Sequence, residues 1–408
     1  MKEFFHSVGL IEERCIGCTK CLMNCPVEAI RIKNGKAVIY NEKCVDCGEC
    51  IKVCPYSAHI SIKNKLEDIL EYKIKVAIPS VTLYSQFGRE SNPYILNEAL
   101  LTLGFDEVFD ITYACDIESE ILRKELRKVE KPAISTLCPS VIRLIENNFP
   151  SLKKHLVRMI TPIEISSLLI REKYEEMGYK NEEIGIFFLT PCPSWVTKIS
   201  EMKKNNNIMI DGAIAISEIY PKIHKIIGKN AVSKENNSVS RTGLLWAYSG
   251  GQSKAIGVND YISVDGIKNV IKVFDDIENG KIEDVDFVEA YACPNGCVGG
   301  LLLVENPYNA ERISKKIIEK IDFSYKIDAY NNIENKFISS EKQDSTHIRL
   351  ADNFESAVKM IKTMNRIINR LPGTDCGLCG SPSCKAFAED VVKGLARIED
   401  CKFIQAEV

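Results

Sequence analysis

The chain has 408 residues, a formal net charge of −3 and 17 cysteines; 45% of its residues are hydrophobic and 27% charged. This length is ample for a large core and about two to four domains. The near-balanced charge, with basic residues interspersed among acidic ones, gives no sign of a nucleic-acid-binding surface. The first residues, Met1 to Gly9, hold no apolar h-region, and no run reaches ~18 apolar residues, so the chain reads as cytoplasmic with no membrane insertion. Thiols in that compartment stay reduced, which favours metal ligation over disulfides.

Residues 1–65 carry a duplicated cysteine run. Cys15, Cys18, Cys21 and Cys25-Pro26 are followed at the same spacing by Cys44, Cys47, Cys50 and Cys54-Pro55. This is the two-cluster bacterial ferredoxin pattern, in which the fourth cysteine of each run serves the other cluster. One 4Fe–4S cluster is therefore expected on Cys15, Cys18, Cys21 and Cys54, the other on Cys44, Cys47, Cys50 and Cys25. A zinc ribbon is the competing reading, disfavoured because zinc sites rarely repeat a four-cysteine run at this spacing. Ser57 and His59 read as bystanders.

Residues 66–322 alternate buried strands with amphipathic helices. Strands are expected from Ile74 to Ile78, Val108 to Ile111, Ala133 to Leu137, Ile184 to Leu189 and Val285 to Ala290, the last continued by Leu301 to Val304. Helices are expected from Asn92 to Leu103, from Cys115 onward, and over Val141 to Asn148, Ile163 to Met177 and Asn309 to Ile321. The region from Ile199 to Asp265 has weaker periodicity; it holds an apolar run from Ile208 to Ile216, a helix to Ile227 and a loop over Gly243 to Gly251. Strand, cysteine turn and helix recur, which argues an α/β domain with ligands at the carboxyl ends of strands. Cys138 and Cys192 each follow an apolar run and precede a proline, while Cys293 and Cys297 lie four apart in a Gly- and Pro-rich turn. Together they make four thiolates, enough for one further 4Fe–4S cluster.

These stretches also carry a family resemblance. Ile78-Pro-Ser-Val81, Phe109 to Asp116, Thr136-Leu-Cys-Pro to Ile145, Pro191-Cys-Pro193 and Cys293-Pro-Asn-Gly-Cys-Val-Gly-Gly300 are similar, in order, to the catalytic domain of FeFe hydrogenases. Phe149-Pro150 and Val304-Glu-Asn-Pro307 look more like the sensory branch of that family than the hydrogen-producing branch. The resemblance implies a central cube on Cys138, Cys192, Cys293 and Cys297, with Cys297 bridging to a diiron subcluster of the H-cluster type. It implies a pocket lined by Pro79 and Ser80. Two positions depart from the family pattern. Leu137 stands where hydrogen-producing members have a proton-transferring cysteine, and Trp195 where the family has a lysine, with Lys198 one helical turn further on. Cys115, the one cysteine without a cluster, reads as a buried hydrophobe or as a thiol that replaces the lost proton donor.

Residues 323–352 lose periodicity and read as a linker. A helix from Asn353 to Arg370 leads into Cys376, Cys379 and Cys384, with Cys401 beyond an amphipathic helix. This segment, 353–408, resembles the small 4Fe–4S domain appended to sensory hydrogenases; a zinc knuckle is the competing reading. The sequence thus implies an α/β domain of hydrogenase large-subunit type, preceded by an α+β bacterial ferredoxin domain and followed by a small helical iron–sulfur module. Four 4Fe–4S clusters would pass electrons between a redox or signalling partner protein and the central site. The first reading is a sensory-type or divergent hydrogenase homologue. The alternative is an electron-transfer protein that keeps the cube and lacks the diiron subcluster, which Leu137 and Trp195 favour.

Overall fold

The structure is a computed structural model that describes residues 5–88, 92–157, 159–204, 210–227, 239–325, 327, 350 and 353–404. The chain divides into two compact units, residues 63–344 and the pair of terminal segments 1–62 with 345–408. Most of the linker expected at 323–352 lies outside the described residues. Among the described residues, no helix is long and apolar enough to cross a membrane.

In the terminal unit, β1 (Val8–Leu10) pairs antiparallel with β4 (His59–Ser61), and β2 (Ile30–Lys33) with β3 (Lys36–Ile39). Short helices Lys20–Asn24 and Glu49–Val53 carry the two cysteine runs. Thr19 and Gly48 precede them in left-handed conformation, so that the chain reverses tightly before each helix. The C-terminal part contributes the helix Phe354–Ile368, the loop through Cys376 and Cys379, and the helix Cys384–Val392.

The central unit holds two parallel sheets. One runs β6-β5-β8-β9, with β5 Ile74–Pro79, β6 Glu107–Val108, β8 Ile184–Thr190 and β9 Gly212–Ala215. The other runs β10-β11-β7, with β7 Ala133–Ile134, β10 Tyr261–Asp265 and β11 Phe287–Tyr291. β8, β9 and β11 are buried along their whole length, as expected of strands covered on both faces. Long helices such as Pro162–Glu176 and Ile267–Glu278 cover them; the first starts with a Thr161/Glu164 capping box.

Several sequence-based expectations are corrected. The strand expected over Val108 to Ile111 is only two residues long, because Asp110 accepts from the Thr112 N–H at 3.0 Å and starts the helix Ile111–Glu125, four residues before Cys115. The strand from Ala133 shrinks to two residues as the Leu137 N–H turns to the Ser135 hydroxyl at 3.3 Å. Of the Ile208 to Ile216 run, residues 208 and 209 lie outside the described residues and Ile216 already begins a helix. The Gly243 to Gly251 loop is largely helical turns, Arg241–Leu244 and Leu245–Ala247. Leu301 to Val304 is no strand. The Leu302 N–H donates to the Pro191 carbonyl at 2.8 Å, and the Val304 and Glu305 N–H groups donate to Gln86 Oε1.

Candidate metal centres

Three cysteine-bearing turns meet in the central unit, each at the carboxyl end of a parallel strand. Cys138 follows β7 and is the N-cap residue of the helix Pro139–Asn148. Cys192 follows β8 and directly precedes the helix Pro193–Lys204. Cys293 and Cys297 follow β11, in a turn where Asn295 and Gly296 both have positive φ. Proline at the first helical position loses no intrahelical bond, which explains the recurrent Cys-Pro pairs. Gly300 packs against Pro191, where a Cβ would meet the proline Cβ at 2.9 Å, so only glycine allows the second and third turns this close an approach.

The four thiols share one environment. Burial pushes Cys297 well above the ordinary thiol range, and Cys192, Cys138 and Cys293 each add to it as neighbouring negative charges. Burial likewise pushes Cys192 up to about 11, opposed by the Ser194 hydroxyl and by the Trp195 and Ser194 N–H groups. Cys138 is raised by burial and partly relieved by the Ala292, Val141 and Ser140 N–H groups. Cys138, Cys192 and Cys297 resist ionisation side by side, the first two met by backbone donors, which suits a cationic iron centre that would deprotonate and neutralise them. The donor set therefore fits a 4Fe–4S cube.

The surroundings of this set are apolar. Leu137, Trp195, Cys115, Tyr291 and Val298 belong to the buried cluster against which Cys192 and Cys297 pack. Trp195 is 4% exposed and meets Phe188 edge to face at 5.9 Å. Lys198 lies on the side of Glu146, whose carboxyl burial pushes up and Lys153, Lys198 and Arg143 pull back. Cys115 is fully buried on its helix, raised by burial and by Glu118, Asp116, Asp110 and, more weakly, Cys297. Pro79 ends β5; the Ser80 hydroxyl bonds the Thr82 hydroxyl at 2.9 Å within the turn that follows.

One group was missed in the sequence. Glu289, at 0% exposure in the middle of β11, accepts from the Gln252 N–H at 3.1 Å, the Ser253 N–H at 2.9 Å, the Ser253 hydroxyl at 2.6 Å and the Tyr291 hydroxyl at 2.7 Å. Ser135 donates to the Gln252 side chain at 2.6 Å and receives the Leu137 N–H, which carries the network to the residue before Cys138. The signal was present: Glu289 and Tyr291 are polar residues on a strand otherwise apolar enough to be buried on both faces.

The terminal unit gathers the other cysteines. Cys15, Cys18, Cys21 and Cys54 line one small hollow, together with Ile32 and His59. Cys50 is raised by burial and then by Cys47, Cys25 and Cys21; Cys44 by burial, Asp46, Cys47 and Cys50. Cys25 thus lies near Cys47 and Cys50 of the second run. Cys376, Cys379, Cys384 and Cys401 line a second small hollow. A larger surface hollow of about 900 Å³, lined by Tyr94, Arg312, Lys316 and Phe323 among others, has no cysteine in its lining and lies apart from this chemistry.

Three stretches of the chain match known families. Residues 73–301 match the family model described as iron only hydrogenase large subunit, C-terminal domain. Residues 9–65 match a 4Fe-4S dicluster domain, and residues 371–403 a putative Fe-S cluster family. The chain is 27% identical over 361 residues to the periplasmic Fe hydrogenase large subunit of Nitratidesulfovibrio vulgaris, covering 72% of this chain and 86% of that one. It is 23% identical over 351 residues to iron hydrogenase 1 of Clostridium pasteurianum, covering 72% of this chain and 60% of that longer protein. Among solved structures, an FeFe hydrogenase studied for oxygen inactivation of its H cluster superposes with a TM-score of 0.48 at 15% identity, over 62% of this chain and 86% of that one. One from Chlamydomonas reinhardtii superposes at 0.47 and 15%, over 67% and 90%. With more than half of its length matched by this large-subunit model, the chain belongs to the iron-only hydrogenase large-subunit family, as a hydrogenase-like iron–sulfur redox protein.

Proposed function

We propose that the chain holds four 4Fe–4S clusters and passes electrons between a soluble redox partner and the central four-cysteine site. In this reading it acts in the cytoplasm as a sensory-type or divergent hydrogenase homologue, not as an efficient hydrogen producer. The observation that carries the reading is the convergence of Cys138, Cys192, Cys293 and Cys297 from three strand ends onto one buried set. When bound, each cube supplies one-electron redox chemistry. The protein holds the ligands by helix N-termini and backbone N–H groups, excludes water with the apolar cluster around Trp195 and Leu137, and fixes the turns through Gly300 and Glu289. Cys297 is the residue that would bridge to a diiron subcluster.

A second reading, electron transfer without diiron chemistry, is favoured by the residues around the thiols. Leu137 has no titratable proton, and the Trp195 indole offers one uncharged N–H where the family places an ammonium. The experiment is anaerobic reconstitution with iron and sulfide, followed by incubation with the diiron assembly machinery. About sixteen iron and sixteen sulfide per chain support four cubes; a plateau near half of that with zinc present rejects them. Infrared bands from iron-bound CO and cyanide after maturation support the first reading, and their absence at full cube loading supports the second.

A further inference from the structure

The C-terminal cysteine loop is seated on the ferredoxin region through residues adjacent to proposed ligands on both sides. The Ile32 N–H, on β2, donates to the Gly380 carbonyl at 2.8 Å. Ile32 also lines the hollow of Cys15, Cys18, Cys21 and Cys54, while Gly380 directly follows Cys379. Gly380 has φ +84 and lies so close to the Ile32 carbonyl that no side chain fits there. Gly377, between Cys376 and Cys379, faces Leu22 and Met23, where a Cβ would meet Met23 Sδ at 3.0 Å and Leu22 at 3.2 Å. Leu22 directly follows Cys21.

A buried clasp holds this contact. Arg31 is 1% exposed and donates through Nε and Nη2 to both carboxylate oxygens of Asp390, itself 3% exposed. Nη1 is used on the Glu28 carbonyl at 2.8 Å and the Ile30 carbonyl at 3.0 Å, and the Ser381 hydroxyl donates to Asp390 at 2.9 Å. Lys43, next to Cys44, pairs with Glu389 at 2.8 Å on the flank. A buried ion pair adds little net stability over an apolar pair of similar size, but a planar two-bond fork accepts only one relative placement of its partners. The clasp is thus built for register.

We infer that the C-terminal module and the ferredoxin region form one redox unit, joined at the Ile32–Gly380 contact, so that the C-terminal site exchanges electrons with the site on Cys15, Cys18, Cys21 and Cys54. The inference rests on the four-cluster reading above. The path runs from Cys379 through its peptide bond to the Gly380 carbonyl, across one hydrogen bond to the Ile32 N–H, and into a residue lining the first ferredoxin hollow. One electron leaves the reduced site and enters the oxidised one. No covalent bond forms or breaks and no proton moves, and a low-potential one-electron donor restores the reduced state.

The test uses the full chain, reconstituted, reduced with dithionite and read by electron paramagnetic resonance beside iron analysis. Cys379→Ser with Cys384→Ser removes the C-terminal site. It should lower iron by about four per chain and remove a spin–spin broadening present in the wild-type ferredoxin signals. A ferredoxin signal identical with and without the C-terminal site, at that iron difference, overturns the inference and leaves the four-cluster reading standing. Equal iron in the two proteins overturns the four-cluster reading itself. Asp390→Lys should keep the wild-type iron and weaken the broadening several-fold, whereas Arg31→Met with Asp390→Leu, which retains an apolar contact, should restore it. Unchanged broadening in Asp390→Lys at full iron also overturns the inference.

Discussion

Glu289→Leu should unfold the central unit at markedly lower urea concentration while sparing the terminal unit. The leucine side chain has nearly the volume of the glutamate but accepts nothing. It leaves the Gln252 and Ser253 N–H groups and the Tyr291 hydroxyl without an acceptor in a position of 0% exposure; the Ser253 hydroxyl can rotate away. Each orphaned buried donor costs about 1–3 kcal/mol, so three cost roughly 4–6 kcal/mol after partial relaxation. Tyr291→Phe removes one donor and leaves the carboxylate three others, a loss of about 1 kcal/mol. The two substitutions therefore separate the acceptor's role from that of the ring. The chain has 2 tryptophans, Trp195 and Trp246, both in the central unit, so their fluorescence reports that unit alone. Urea unfolding followed by fluorescence, with both proteins in the same metallation state, gives the comparison. A Glu289→Leu protein within about 1 kcal/mol of wild type would falsify the claim that this carboxylate anchors the turns around the central thiols.

Three further outcomes are expected. Asp110 is pushed up to about 7 by burial, against its bonds to Thr112, so the native state holds a proton that the unfolded chain has released above roughly pH 4. Stability should therefore fall as pH rises from about 4 to 7, and Asp110→Asn, still a good N-cap, should flatten that slope and gain about 2 kcal/mol at pH 8, less than the full linkage value because the side chain is only partly buried; an unchanged pH profile in thermal melts counts against it. Trp195→Lys should raise retention of diiron in matured protein, by placing an ammonium where indole has one N–H, and Leu137→Cys should add hydrogen turnover; diiron analysis and a hydrogen-uptake assay check both, and a wild-type protein already fully loaded and active refutes the reasoning. Arg31→Met alone should destabilise the terminal unit by about 3–5 kcal/mol, since Asp390 is then buried without its cation; hydrogen exchange at Ile32 is the readout, and protection equal to wild type argues against a buried clasp.

How much of this was legible in the sequence follows from which signals are local. The ferredoxin runs and the strands β5 and β8 could be read because short spacing and continuous apolar runs state their structure within a few residues. The start of the helix at Ile111 was misplaced because Asp110 competes for the Thr112 N–H, and that side-chain choice outweighs the apolar run Val108 to Ile111. β10 and the helix Ile267–Glu278 went unread, since β10 is half exposed and lacks the run of its neighbour β11. The Arg31–Asp390 pair joins positions 359 apart, so neither residue's surroundings announce it. Residues 345–408 share one compact unit with residues 1–62, a pairing that no local signal in either segment states.

That separation in sequence has a consequence for synthesis on the ribosome. Arg31 is made before its carboxylate partner, which follows 359 positions later. At about 5–20 residues per second, roughly 20–70 s pass between the two. During that interval the guanidinium side of β2 has no carboxylate to meet, and the whole central unit is translated between the halves of the terminal one. The nascent ferredoxin segment should therefore stay open to protease until the Asp390 region emerges. Ribosome-arrested chains that stop before and after residue 390 should differ in cleavage around β2, and equal cleavage would show that the segment closes without its late partner.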